Sequence, residues 1–154
     1  MTILEQQKAY RDGLRRLGQL NERNYRHFQQ WRWLEDTDVL QLVATETVAA
    51  VPAGKVRIKV LHRWAYTTVL EMCSAIVAGT QVALEVRLYH DAGSAEVTAV
   101  RYEEEGEKRS WSFHQGGDQP KDKLYWNTFL AAWLAHMQVH IYAVPAPVPQ
   151  CANS

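Results

Sequence analysis

The stretch VALEVRLYHDAGSAEVTAV, residues 82–100, decides the fold. Val82, Leu84, Val86 and Leu88 alternate with small or polar residues, the period-two pattern of a strand with one buried face. Ala92-Gly93 supplies a tight turn, after which Leu88 faces Val97 and Val86 faces Ala99. The same register puts Arg87, Tyr89, Glu96 and Thr98 together on the other face. The segment therefore reads as an antiparallel hairpin with one apolar and one charged side.

The pattern extends in both directions. Val56, Ile58 and Val60 alternate with Lys55, Arg57 and Lys59, and YTTVLEMCS at 66–74 reads as their hairpin partner. Pairing Ile58 with Leu70 and Val56 with Met72 places Arg57 opposite Glu71, so apolar and charge pairing agree. Leu40, Leu42 and Ala44 mark an earlier strand, closed by the turn-rich AAVPAG at 49–54. Beyond the acidic turn EEEGE at 103–107, residues 109–113 supply a further strand.

Helical spacing flanks these strands. Thr2 and Glu5 are spaced as a capping box. Ile3, Tyr10, Leu14 and Leu17 share one helical face, and Gly13, Gly18 and Asn21 predict a break around residues 18–22. A second helix starts near Glu22 and carries Tyr25, Phe28 and Trp31. After HQGGDQPKDK at 114–123, Trp126, Phe129, Leu130, Trp133, Met137 and Ile141 make a broad apolar stripe on a last helix. Hairpin-linked strands between helices give an α+β domain: an antiparallel sheet of four to six strands packed by two N-terminal helices and one C-terminal helix. Residues 1–143 form that single domain, and 144–154 form a Pro-rich extended tail.

Composition narrows the function classes. Of 154 residues, 47% are hydrophobic and 22% charged, which excludes a disordered chain. Seventeen basic residues balance seventeen acidic ones. A dedicated nucleic-acid binder needs a basic excess, so nucleic acid is a disfavoured partner. No run approaches the ~18 apolar residues of a membrane span, and the mixed-charge N-terminus is no signal peptide. Cys73 and Cys151 are expected to be free thiols, Cys73 facing outward beside Lys55. A cytoplasmic location follows from that expectation.

Four residues around the central turn carry the most chemistry. Arg87 could clamp an anion, His90 could move a proton near neutral pH, and Asp91 could orient it, with Glu96 nearby. The simpler reading pairs Arg87 with Glu96 and uses Asp91 to bond turn amides. His136 and His140 are four apart on the last helix, a spacing that can chelate a metal. Met137 stands where H-E-x-x-H needs its Glu, and a third ligand such as His114 would be required. No metal and no cofactor is expected. Lys55, Arg57 and Lys59, beside Arg63 and Trp64, could suit single-stranded RNA, but Glu71, Glu85 and Glu96 share their face. Neither G-x-x-x-x-G-K-[ST] nor G-x-G-x-x-G occurs.

VRLYHDAGSAEV at 86–97 resembles the YqiB-like family of bacterial domains of unknown function. Glu22-x-Asn24-Tyr25-x-x-Phe28-x-x-Trp31 resembles that family's early helix motif, and Tyr66-Thr67-Thr68 its Tyr-Thr-Thr strand. Gln119-Pro120 followed by Asp122-Lys123-Leu124-x-x-Asn127-x-Phe129-Leu130-x-x-Trp133-Leu134 resembles its closing loop and helix. The chain departs at Lys121-Asp122, where two acids are expected, and at Ala132, where one is. The resemblance directs attention to Tyr66, Thr68 and Asn127, with Thr hydroxyls as partners for the Asn127 amide. It supplies no activity.

The candidate ligand-binding set is thus Arg87, Tyr89, His90, Asp91, Glu96, Tyr66, Thr68 and Asn127. The leading expectation is an accessory protein without catalytic machinery that binds a protein partner or a small anionic ligand. One alternative is an enzyme or sensor for a nucleotide or phosphate ester, and another is an RNA-binding module. No membrane partner is expected, and a homodimer is compatible with the sequence.

Overall fold

The computed structural model of the chain describes residues 2–31, 38–113 and 120–139. Helix α1 runs Ile3–Gln29 and strands β1 to β6 run Val39–Ala44, Gly54–Arg63, Thr67–Ser74, Gln81–Tyr89, Ser94–Glu104 and Glu107–Ser112. Helix α2 runs Pro120–Ala135, and a short β7 runs Met137–Val139. One antiparallel sheet holds all seven strands in the order β6-β5-β4-β3-β2-β1-β7. The α+β class stands, with one strand more than expected and one N-terminal helix fewer.

The extra strand comes from the chain read as the end of the last helix. α2 stops at Ala135, and Met137 then pairs with Ala44 and Val139 with Leu42. β1 is otherwise an edge, and the returning chain satisfies its open backbone groups.

The missing helix break has a different cause. Gly13 and Gly18 each cost about 1 kcal/mol relative to Ala in a helix, yet α1 passes through both without interruption. The Thr2–Glu5 capping box closes its start, with both reciprocal bonds at 3.1 Å. At the other end Tyr25 and Phe28 are buried, where α1 packs on α2 and β5. Between these anchors the predicted face is uncovered: Ile3, Tyr10 and Leu14 are exposed.

The strand faces follow the alternation, but the registers differ. Ile58 pairs with Met72 and Val60 with Leu70, two residues from the sequence expectation, and Leu88 pairs with Ala95 and Val86 with Val97. A shift of two keeps side chains on their faces, which is why most faces were legible and the pairs were not; the exception is Ala99, which falls opposite Glu85 while Val100 takes the apolar place beside Leu84. Irregularities between Val60 and His62 and between Glu85 and Val86 add twist. A cavity of about 350 Å³ is lined by Ala49 to Val51 of the β1–β2 turn, by Tyr102 and Arg109, and by Trp126 and Phe129 of α2. The sheet therefore curls over α2, whose Trp126, Asn127, Phe129, Leu130, Ala131, Trp133 and Leu134 are buried.

Cys73 is fully buried and disulfide-bonded, so it is not the free thiol expected. That removes the thiol argument for a reducing compartment. Cys151 and the tail at 144–154 lie outside the described residues, and no described helix is long and apolar enough to cross a membrane.

Candidate functional site

The turn quoted at the outset divides its side chains between two sides of the sheet. Arg87, Tyr89 and Glu96 project from the face away from the helices. There Arg87 pairs with Glu96 across the strands, and its Nε lies 3.7 Å from Glu85 Oε1. Tyr89 donates its hydroxyl to Glu96 Oε1 at 3.0 Å. Burial, with the Glu96 carboxylate beside it, pushes the Tyr89 phenol up to about 12. Asp91 accepts the Ala92 amide at 3.0 Å, so it serves its own turn and does not orient His90.

His90 has the parity of Leu88 and turns the opposite way. Its Nδ1 is 2.9 Å from the Tyr25 hydroxyl and its Nε2 is 2.8 Å from Thr68 Oγ1. Its backbone amide donates to the Tyr66 carbonyl at 2.8 Å, tying the β4–β5 turn to the β2–β3 hairpin. Hydroxyls both donate and accept, so this pair satisfies either tautomer of a neutral ring and also a charged one.

These residues form the floor of a cleft of about 760 Å³. The last turns of α1 wall one side with Tyr25, Phe28 and Gln29, followed by Trp31. The β2–β3 hairpin walls the other with Arg63, Trp64 and Thr68. Trp64 is 55% exposed, and its ring stacks on His62 with centroids 5.2 Å apart and planes 16° from parallel. Arg63 reaches the Asp38 carboxylate, whose side chain is 79% exposed. The cleft thus combines a cation, an open aromatic face and a hydrogen-bonded imidazole.

Of the candidate ligand-binding set, only Thr68 and His90 line the cleft; Arg63 and Trp64, named beside the basic stripe, join them. The Tyr66 ring stands exposed outside its lining. Asn127 is buried in α2 and meets neither Thr67 nor Thr68. Its Oδ1 accepts the Val97 amide at 2.9 Å, its Nδ2 donates to the Lys123 carbonyl at 2.8 Å, and Asn24 donates to its own carbonyl at 3.2 Å. These bonds lock α2 to β5 and α1. Tyr25, Gln29 and Trp31 were missed as site residues. The spacing of Tyr25 and Trp31 reads as packing, although Tyr25 carries a hydroxyl that a purely apolar face does not need, and Gln29 falls outside that pattern.

The helix that a His136–His140 chelate requires ends at Ala135, and the His136 carbonyl instead accepts the Thr45 amide at 2.8 Å. His114 and His140 lie outside the described residues. Among the described residues no group of three His, Cys, Asp or Glu side chains is placed to hold a metal. Part of the basic stripe is paired in place: Glu71 meets Arg57 at 3.3 Å and Arg101 at 2.8 Å, and it is the cross-strand partner of Lys59.

No curated protein and no solved structure matches the chain. A family model described as "Protein of unknown function (DUF1249)" matches residues 29–143. That match takes in the whole sheet, the β2–β3 hairpin and α2, and most of the cleft lining with them. By that match the chain belongs to the DUF1249 family of proteins of unknown function.

Proposed function

We propose that this protein is a non-catalytic binding domain whose site is the His90 cleft and whose ligand is small and anionic. One observation carries the reading: both imidazole nitrogens of His90 are held by hydroxyls, at 2.9 and 2.8 Å, in a cleft that also presents Arg63 and Trp64. A preformed concavity with a few convergent polar groups is the usual form of a small-molecule site. Arg63 and Trp64 supply charge and area, while the fixed imidazole supplies orientation. Catalysis is disfavoured because Nδ1 of His90 faces a neutral phenol. A carboxylate there would stabilise an imidazolium, and Asp91 is engaged elsewhere. The YqiB-like resemblance belongs to this same proposal.

A thermal-shift screen of the full chain against inorganic phosphate, sugar phosphates, carboxylates and nucleotides tests it. A ligand at ~100 times its dissociation constant adds about 2.7 kcal/mol, which at this size is a rise of roughly 5–10 °C. His90→Ala and Thr68→Val should each remove most of that rise. A rise that survives both changes places the site elsewhere, and silence across the panel overturns the small-anion reading.

The 2.8 Å approach of Thr68 Oγ1 to His90 Nε2 also has the geometry of a hydroxyl and its base, which favours an enzyme acting on a phosphate ester as the second reading. Product formation that Thr68→Val abolishes in a folded protein would select it.

A further inference from the structure

We infer that the cleft takes a planar heteroaromatic anion of mononucleotide size, its ring laid on Trp64 and its charged group at Arg63; this rests on the cleft being the binding site. The first support is the stack already present. His62 lies under one face of the Trp64 indole, with centroids 5.2 Å apart and planes 16° from parallel. Trp64 nevertheless remains 55% exposed and contributes to the cleft lining. A ligand ring arriving on the open face becomes the third layer of that stack. Because His62 already holds the indole, little side-chain freedom is lost on binding. Stacking accepts any flat π-system, so this contact favours a planar ring.

The second support is the position of the charge. Arg63 precedes Trp64 in the chain and lines the same cleft, so ring and anion can belong to one small molecule. One partner of that guanidinium, Asp38, is a carboxylate whose side chain is 79% exposed. A phosphate or carboxylate on the ligand presents the same planar-fork chemistry and can take the place of Asp38. The third support is the edge chemistry. Gln29 offers a donor and an acceptor on the α1 side, and Thr68 with His90 offers a fixed polar floor. Ring nitrogens and exocyclic groups need such partners, whereas a hydrocarbon ring does not. The cleft volume of about 760 Å³ accommodates a ligand of this size.

Three probes separate the parts of the inference: 5′-AMP carries ring and anion, adenosine the ring alone, and ribose 5-phosphate the anion alone. Calorimetric titration of the full chain should find 5′-AMP tightest, by about tenfold or more over either part. Trp64→Ala should bring 5′-AMP down to the level of ribose 5-phosphate, while Trp64→Phe should keep most of the difference. Asp38→Asn removes one competing carboxylate and should tighten 5′-AMP several-fold without changing adenosine. Trp64 and Asp38 are both exposed, so an unchanged melting temperature and far-UV dichroism will show the variants folded. Ribose 5-phosphate binding as tightly as 5′-AMP, with His90→Ala abolishing both, would overturn the ring assignment and leave the cleft reading standing. Binding of 5′-AMP that is indifferent to both Trp64→Ala and His90→Ala would overturn both readings. Silence of all three probes would overturn the ligand class.

Discussion

Leu40, Ile58, Met72, Leu84 and Val100 are successive cross-strand partners on the side of the sheet that faces the helices, and none is more than 6% exposed. One residue away along each strand, Gln41, Arg57, Cys73, Ala83 and Arg101 form the matching row on the other side. The first row is held by burial, which is non-directional and roughly proportional to area. The second is buried at Gln41, Cys73 and Ala83 but adds charged pairs that the first lacks, chiefly Glu71 between Arg57 and Arg101. The two faces of one sheet should therefore fail differently. The covered side loses stability in proportion to volume removed, whereas the other side responds to charge, salt and pH.

Trp133→Ala tests the covered side at its strongest. The indole is fully buried in α2 and stacked toward Phe129, with ring centroids 5.4 Å apart. Its removal should cost about 3–5 kcal/mol in urea unfolding, most of it insensitive to salt. Asn127→Ala should cost about 1–3 kcal/mol, because the Val97 amide is left buried without its acceptor. A loss below ~0.5 kcal/mol would mean that water or another group replaces the amide.

Glu71→Ala moves the test to the other side. It leaves the Arg57 and Arg101 guanidiniums facing each other, with Arg57 at 11% side-chain exposure. The expected loss is about 1–2 kcal/mol, between the values for exposed and buried pairs. Unlike the loss from Trp133→Ala, it should change between low and high salt. Equal salt responses in the two variants would end the distinction between the faces.

The same distinction explains what the sequence revealed. Strand faces were legible because alternation is a local property, visible in Val56, Ile58 and Val60 without knowing their partners. Register was not, because Ile58 opposite Leu70 and Ile58 opposite Met72 bury nearly the same side chains. The length of α1 was misread because the penalty at Gly18 is local, while the packing of Tyr25 and Phe28 that offsets it is tertiary. Met137 looked helical because an apolar residue suits either α2 or β7, and only the unpaired edge of β1 decides between them. At the site, Thr68 and His90 were named and do meet, but not with the predicted companions. Asp91 and Glu96 are neighbours of His90 in sequence, whereas Tyr25 reaches it from 65 residues away.

The smallest expected effect is the alkaline one, and the share of it that Tyr89 carries belongs to the charged face. Burial, then the neighbouring Glu96 carboxylate, raises the Tyr89 phenol from 10.0 to about 12 in the folded protein. The unfolded chain has no such neighbour and gives up its proton near the ordinary value. Below pH 10 both states hold the proton, and the contribution of Tyr89 to stability is fully present. As pH rises from about 10 toward 12, the unfolded state loses its proton first and stability falls. Tyr102, also raised, by burial and then by its hydrogen bond to Glu104, contributes a loss of the same sign. Tyr89→Phe should therefore make the decline between pH 9 and pH 11.5 shallower without abolishing it, as read from urea midpoints at constant ionic strength. Partial exposure of Tyr89 makes this a small difference, so Trp133→Phe serves as the control and should leave the alkaline slope as it is. An equally shallow slope in both variants would mean that the change does not come from the Tyr89 proton.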